Sequence, residues 1–400
     1  MSESAPQQGP RKYLTVQGTE FVLLGTAHIS QASADEVAAE VASRAYDAVA
    51  VELCESRLRS LTDPNHLENL DLFQALRDGR GGLITANLAL GAYQQRLAEQ
   101  LGVEPGAELK IAAEQAQQYG AELVLIDREV GTTMRRLYRS VRWYQRLGLI
   151  GGLVASVASS QKIESEDVER LKRGDILEST FRDMAQESRS LYTPLIAERD
   201  RYMAARLLES CAGRFRKVLV VLGAGHLEGV AEALERPTAD PQAERRDLDT
   251  CPPPSRWPKF LAWAVVAVVL SGFALGFAQS PELGWTLVAT WVLLNGGLSA
   301  LGAALAYGHP VTVAGAFFAA PLTSLNPTIG AGFVAAAIEL TMRRPRVGDF
   351  RSLRKQLTRW QGWWVNRVAR TLLVFLFASL GSAAGTYLAG ARIVERLISA

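Results

Sequence analysis

Histidine and cysteine are scarce in this chain. Its 400 residues include four histidines and three cysteines. Cys54, Cys211 and Cys251 are odd in number and widely spaced, which excludes zinc-type cysteine pairs and a disulfide framework. Such a pattern is typical of a protein kept in a reducing compartment. Any histidine chemistry must therefore come from very few positions.

The chain also lacks a strong net charge and an export signal. Its formal net charge is +2, so bulk charge gives no indication of a nucleic-acid partner. Residues 1–12 are polar and lack the apolar core of a signal peptide. We therefore expect no nucleic-acid partner, and we expect the first half of the chain to face the cytoplasm.

Long apolar runs are present, but only in the second half. Residues 1–250 have the composition of a globular protein, whereas residues 257–400 contain long apolar runs separated by one basic stretch. Between them, residues 251–256 carry three consecutive prolines, which favour an extended chain. This distribution predicts a soluble domain over 1–250, a linker over 251–256 and a helical membrane domain over 257–400.

Short apolar runs alternate with helical patterns in the first half. Residues 13–24 are typical of a β-hairpin, and further apolar runs lie at residues 48–53, 123–126 and 218–222, with helical patterns before them. A succession of strand, helix and strand places its strands parallel, with a right-handed crossover. The predicted fold is therefore α/β, with a mixed, largely parallel sheet flanked by helices.

Polar side chains follow each predicted strand at its end. His28 ends a glycine-containing turn after the first strand, and His226 ends a similar turn after the last. Glu52 lies at the end of the second strand, and Arg128 follows the third. Ligands of open α/β sheets bind at the carboxyl ends of the strands. We therefore expect one composite site built from both ends of the soluble domain.

His28, His226 and Glu52 form a candidate metal site. Two imidazoles and one carboxylate are a common ligand set for a catalytic divalent ion with open positions. Such an ion lowers the pKa of a bound water, and the hydroxide that forms near neutral pH can attack a carbonyl. The residues alone also allow two ordinary turn histidines, and a Glu52 that pairs with Arg57 instead of a metal.

Three further charged residues are candidates for supporting roles. Arg128 or Arg199 is predicted to stabilise an oxyanion, and Glu198 to transfer a proton or to hold another site residue. For each of them a solvated surface charge is the alternative.

The second half contains three runs that are long enough to cross a bilayer, at about 259–278, 285–307 and 371–391. Residues 311–342 are too long for one upright helix and are interrupted by prolines, which predicts a re-entrant or broken helix. Residues 343–370 contain nine Arg and Lys residues and are expected on the cytoplasmic side. We expect the lipid bilayer as a partner, and the broken segment suits a homodimer interface.

Several motifs, in order along the chain, resemble the TraB/PrgY pheromone-shutdown family. They are Gly25–His28, Val51–Cys54 with Arg57, Leu101–Gly106, Ile126–Arg128, Glu198–Met203 and Gly223–His226 in the first half, and Ala320–Pro327 in the second. Each motif is weak alone, whereas the ordered set is specific. The resemblance extends over essentially the whole chain.

That resemblance carries expectations of its own. The family is related to the Tiki metalloproteases and, more distantly, to erythromycin-esterase-like and ChaN-like proteins. This implies a manganese or cobalt ion, with zinc as a further option, on His28, Glu52 and His226. It also implies supporting roles for Arg57, Glu198 and Arg199, and hydrolysis of small peptides. The alternatives are a non-catalytic receptor for a peptide, metal or haem-like ligand, and an esterase-like hydrolase with a histidine base.

Overall fold

The structure is a computed structural model that describes most of the chain. The described residues are 9–26, 31–63, 71–79, 81–82, 84–85, 88–89, 91–92, 106–141, 189–251, 257–326 and 330–399. The chain divides into two compact units. Met1–Pro64 and Gln94–Pro253 form the first, and Asn65–Tyr93 and Pro254–Ala400 form the second.

A five-stranded sheet forms the centre of the first unit. Its strands are β1 (Arg11–Val16), β2 (Thr19–Thr26), β3 (Ala48–Val51), β4 (Glu122–Leu125) and β5 (Lys217–Gly223). They lie in the order β1-β2-β5-β3-β4, and only the pair of β1 and β2 is antiparallel. This confirms the predicted mixed, largely parallel sheet.

The hairpin between β1 and β2 follows from its two turn residues. Gln17 and Gly18 both have a positive φ, of 49° and 81°. Two successive left-handed residues match the right-handed twist of the flanking strands, so the strands pair directly, with Val16 opposite Thr19.

Helices cover both faces of the sheet. The helices of the first unit in chain order are α1 (Gln31–Ala42), α2 (Glu55–Thr62), α4 (Ala107–Tyr119), α5 (Val130–Ser140), α6 (Arg189–Tyr192), α7 (Glu198–Ser210), α8 (Ala224–Glu235) and α9 (Pro241–Asp249), whereas α3 (Leu72–Arg77) belongs to the second unit. A π-helical turn, Thr193–Ala197, joins α6 to α7.

The central strands are apolar along their length because both of their faces are buried. Alternate residues of β5 point to opposite faces. Val218 and Val220 share one core with residues of α7 and α8, whereas Leu219 and Val221 share the other with residues of α1 and α4. The two cores hold the carboxyl ends of β2, β3, β4 and β5 at one edge of the sheet.

The second unit is helical. Its helices in chain order are α10 (Trp257–Gln279), α11 (Pro281–Leu305), α12 (Pro310–Thr323), α13 (Ala331–Met342), α14 (Val347–Arg351), α15 (Leu353–Leu357), α16 (Gly362–Val365) and α17 (Arg367–Ser399). Within the described residues, α10, α11 and α17 are long and apolar enough to cross a membrane by length and composition. α10 and α17 contain the predicted runs 259–278 and 371–391, and α11 covers the run 285–307 up to Leu305.

The predicted break between residues 311 and 342 is present as two short apolar helices, α12 and α13. Pro321 lies inside the last turns of α12, and that helix ends two residues later. Residues 327–329 lie outside the described part of the chain. The re-entrant path through a bilayer stays a prediction.

Candidate functional site at the carboxyl edge of the sheet

Four charged or titratable side chains meet at the carboxyl edge of the sheet. Glu52 follows β3, Asp127 follows β4, Arg199 lies in the first turn of α7 and His226 lies in the first turn of α8. Glu52, Asp127 and His226 are buried, with 2%, 7% and 4% of their surfaces exposed. Such burial requires that each of these charged or polar groups has a partner.

The backbone of β5 holds Glu52 in place. The Glu52 N–H donates to the carbonyl of Val221 at 3.0 Å, so the residue continues the strand pairing past the end of β3. Its Oε2 accepts the N–H of Gly223 at 2.7 Å. Gly223 directly precedes α8. A carboxylate at the start of a helix accepts an otherwise unpaired N–H and is attracted to the positive end of the helix dipole.

The Arg199 guanidinium lies among these acids. It forms a two-pronged pair with Asp127, from Nε to Oδ1 at 2.9 Å and from Nη2 to Oδ2 at 2.8 Å. Nη2 also donates to Glu52 Oε1 at 2.5 Å. Burial lowers the pKa of Arg199, but the carboxylates of Asp127 and Glu52 raise it by more, so the net pKa lies above the usual range.

Asp200 orients the imidazole of His226. His226 Nδ1 lies 2.5 Å from Asp200 Oδ1, and Nε2 lies 2.9 Å from Arg199 Nη1. Because arginine can only donate, Nε2 accepts and Nδ1 carries the proton that Asp200 accepts. Burial raises the pKa of the Asp200 carboxyl, although its hydrogen bond with His226 opposes the shift.

Gly229 makes room for the Asp200 carboxylate. A Cβ built on Gly229, one turn after His226 in α8, would overlap with Asp200 Oδ2. The backbone of α8 therefore approaches α7 closely at this point. A glycine is required here for contact between helices, since its φ is ordinary.

The π-helical turn immediately precedes Arg199 and Asp200. Pro194 lies at its start, and the turn ends at Ala197. A π turn contains one extra residue and changes the direction of the side chains that follow it, and such turns are frequent at functional sites. The turn is thus part of how α7 presents Arg199 and Asp200 to the sheet.

Arg128 and Glu198 contact each other beside this group. Arg128 is 1% exposed, and its Nη1 donates to Glu198 Oε2 at 2.9 Å. Arg128 also donates to the carbonyls of Pro194 and Leu248. Of the two arginines predicted to stabilise an oxyanion, Arg199 is the one that contacts Glu52 and His226. The catalytic roles predicted for Arg128 and Glu198 stay predictions.

Glu198 is held from a second side by Arg136, which donates to both of its carboxylate oxygens, at 2.7 and 3.0 Å. Burial raises the pKa of Glu198, but its bonds from Arg136 and Arg128 lower it by more, so the net pKa lies below the usual range. The ion pairs connect α5 to the start of α7.

The two remaining predicted site residues have different outcomes. Arg57 is 3.8 Å from Asp127, so its observed ion-pair partner is Asp127. His28 lies outside the described residues. The strand before it ends at Thr26, which lies opposite Gly223 in the pairing of β2 and β5.

Two of the three predicted metal ligands, His226 and Glu52, lie close together, and Arg199 contacts both of them. His226 Nε2 and Glu52 Oε1 are 3.6 Å apart, close to the spacing of two ligands with bonds of about 2.1 Å to one ion. Asp200 orients the imidazole as carboxylates do for ligating histidines. No group of three His, Cys, Asp or Glu suited to a metal occurs among the described residues, and the third predicted ligand, His28, lies outside them.

Sequence reasoning missed the role of Asp200. The residue stands directly after the predicted Glu198 and Arg199, so its presence in a charged run was the available signal. Successive residues of a helix point in different directions. The packing of α7 on α8 decides that Asp200 contacts His226 while Glu198 contacts Arg128 and Arg136.

These features define a protein with two parts, an α/β unit with a buried polar site and a helical unit with three helices that could span a membrane. The chain belongs to the TraB/PrgY/gumN family, which its residues 14–240 match. Residues 257–398 match the C-terminal domain of TraB family proteins. The resemblance expected from the motifs is confirmed.

Similar proteins occur in archaea and mammals. An uncharacterized protein of Methanocaldococcus jannaschii is 29% identical over 389 residues, or 94% of this chain and 95% of the relative. The TraB domain-containing proteins of Bos taurus and Homo sapiens are each 29% identical, over 65% and 60% of this chain and 73% and 67% of the relatives. The names of the two mammalian relatives state a TraB domain, and none of the three names states a reaction.

Proposed function

We propose that the protein is a membrane-anchored, divalent-metal-dependent hydrolase of small peptides. One observation carries the proposal. Glu52 Oε1 and His226 Nε2 lie 3.6 Å apart at the carboxyl edge of the sheet, and Asp200 holds the other nitrogen of the same ring. The resemblance to the TraB/PrgY family implies the same pair of residues as ligands.

His226, Glu52 and His28 would hold the ion. When bound, it would supply an acidified water and polarise the carbonyl of the peptide bond. Asp200 keeps the proton on Nδ1 of His226, so Nε2 is the nitrogen that would bind the ion, in place of its contact with Arg199 Nη1.

Arg199 supplies the fixed positive charge of the site. Its two-pronged pair with Asp127 restricts its position and leaves Nη1 directed at His226. A guanidinium held in this way stabilises negative charge that develops on a carbonyl oxygen during hydrolysis. Arg57, which is partly exposed beside Asp127, adds positive charge at the same edge.

Metal analysis and peptide turnover on the purified full chain test the proposal. We expect bound Mn²⁺, Co²⁺ or Zn²⁺ and cleavage of short peptides that a chelator abolishes. His226→Ala and Glu52→Gln should both lose metal, and Glu228→Gln is the matched control because Glu228 lies on α8 with its side chain 72% exposed. Unchanged metal content in His226→Ala would contradict the proposal.

A second candidate is an esterase-like hydrolase that needs no metal. The observation in its favour is that Arg199 contacts both Glu52 Oε1 and His226 Nε2, the atoms that a metal would use. In that case the pair of Asp200 and His226 would act as a general base. Hydrolysis of small esters that persists in chelator would favour this candidate.

Stoichiometric peptide binding without product would favour a receptor instead.

A further inference from the structure

The segment between α13 and α17 lies at the ends of two long apolar helices. Trp364 Nε1 donates to the carbonyl of Leu305, the last residue of α11, at 2.9 Å. Asn366 directly precedes α17, and its Oδ1 accepts the N–H of Val368 at 2.9 Å. These contacts place residues 343–366 at the level where α11 ends and α17 begins.

A second pair of contacts holds the start of the segment at the same level. Arg343 Nη1 donates to the carbonyl of Tyr307, two residues past the end of α11, at 2.8 Å. Arg367, the first residue of α17, donates from Nη1 to the carbonyl of Arg344 at 3.1 Å. Both ends of the segment are thus fixed near these two helix ends.

The segment exposes basic and aromatic side chains together. We define the boundary surface as six of its exposed residues, Arg344, Arg346, Lys355, Arg359, Trp360 and Val365. Trp360 is 56% and Val365 69% exposed. Protein segments that lie at a membrane–water interface are enriched in tryptophan together with arginine and lysine.

The charge of the segment is strongly positive. Residues 343–370 contain nine Arg and Lys residues and one acid, Asp349. Asp349 is already engaged, because its Oδ2 accepts the Arg346 N–H at 2.7 Å and lies 4.0 Å from Arg367 Nε. The basic residues of the boundary surface therefore present their charge outward.

We propose that the boundary surface binds the headgroups of acidic phospholipids. Trp360 and Val365 would enter the interfacial layer while the four basic side chains contact lipid phosphates. Basic residues next to membrane-spanning helices are attracted to anionic leaflets, and arginine and lysine both bind phosphate well. The proposal depends on the helical unit alone and is independent of any hydrolysis by the α/β unit.

The test uses the full chain in nanodiscs of equal phosphatidylglycerol and phosphatidylcholine, with retained lipids counted by native mass spectrometry. The wild type should retain mainly phosphatidylglycerol. R344Q/R346Q/K355Q/R359Q should lower the ratio of the two lipids by more than tenfold, since each basic residue contributes about fivefold near an anionic surface and four such factors multiply to about 600-fold. R344K/R346K/R359K keeps the charge and should keep the ratio.

The matched control removes four exposed arginines from the α/β unit, R59Q/R214Q/R236Q/R246Q, and should keep the wild-type ratio. If the quadruple boundary variant does not fold, K355Q/R359Q gives the same comparison with a smaller loss. Three results overturn the proposal: no lipid preference in the wild type, an equal loss in the control, or a boundary variant that changes from dimer to monomer at a constant lipid ratio. The last would identify the surface as a contact between two copies of the chain.

Discussion

At the scale of single residues, the close approach of Gly229 to Asp200 determines how His226 is oriented. Asp200 is 5% exposed and contacts His226 from α7, and Gly229 on α8 leaves the space that its carboxylate fills. A buried carboxylate that loses its hydrogen-bond partner is costly, so stability and the direction of the ring depend on the same contact.

Gly229→Ala should therefore displace the Asp200 carboxylate. We expect a loss of about 1–3 kcal/mol in the free energy of unfolding, as for other overpacked sites, together with weaker metal binding. Gly131→Ala on α5 is the control, because a Cβ there meets nothing within 4 Å. Denaturant unfolding and metal titration of both variants measure the two effects. Equal stability of the two variants would show that the space at Gly229 is not needed.

The ion pairs of Glu198 should make stability depend on pH. Its pKa in the folded protein lies below the ordinary value of 4.5, so its contribution is complete above that value and is lost as the pH falls through the folded pKa. Glu198→Gln removes the partner of the buried Arg128 and should cost about 3 kcal/mol at neutral pH.

Unfolding curves of wild type and Glu198→Gln at a series of pH values give the measurement. The difference between them should shrink as the pH decreases below about 4.5. Glu55→Gln is the control, because its pair with Arg59 is exposed on both sides and should contribute little at any pH. A difference that stays constant with pH would contradict the role given to the Glu198 carboxylate.

At the scale of elements, glycines allow close contact between the long helices of the second unit. A Cβ on Gly381 of α17 would overlap with the backbone carbonyl of Leu298 in α11. Polar side chains add to this contact, since Asn295 of α11 donates to Thr386 of α17 at 2.8 Å and Ser382 donates to Asn295 at 3.1 Å. Small residues and interhelical hydrogen bonds are the usual means by which helices associate in membranes.

Gly381→Ala should thus separate α11 from α17 and lower the stability of the helical unit by about 1–3 kcal/mol. Gly390→Ala on the same helix meets nothing within 4 Å and should be neutral or slightly stabilising. Thermal unfolding of the full chain in detergent, followed by circular dichroism, compares the two. A Gly381 variant as stable as the Gly390 variant would exclude close packing at this position.

At the scale of the whole molecule, the arrangement of charge predicts how the chain crosses a bilayer. If α10, α11 and α17 span the membrane and the pair of α12 and α13 is re-entrant, the basic residues before α17 lie on the same side as the start of α10. The connection between α10 and α11 then lies on the opposite side.

Labelling of single cysteines with an impermeant reagent tests this topology in intact cells. A background with Cys251→Ser suffices, because Cys54 and Cys211 are buried and burial raises the pKa of the Cys211 thiol to about 11. Gln279→Cys should react from outside, and Lys355→Cys only after permeabilisation. Reaction of Lys355→Cys in intact cells would place the basic segment outside and would contradict the re-entrant path of α12 and α13.

The sequence alone was sufficient for features that depend on local pattern and length. Alternating apolar runs and helical periods predicted the parallel sheet and the edge at which Glu52 and His226 lie, and the length of apolar runs predicted three helices. These patterns are readable because the period of a strand or helix and the thickness of a bilayer are constant. The sheet also brought Glu52 and His226 together as their strands had indicated.

Only the tertiary structure decided which charges face one another. Arg199 contacts Glu52, Asp127 and His226, Asp200 rather than Glu198 contacts His226, and Arg57 contacts Asp127. Neighbouring residues of a helix differ in direction by about 100°. Which of them points at the sheet depends on how the helix is rotated and on where a partner backbone leaves space, as Gly229 does. That information is carried by packing between distant segments and is not expressed in the local sequence.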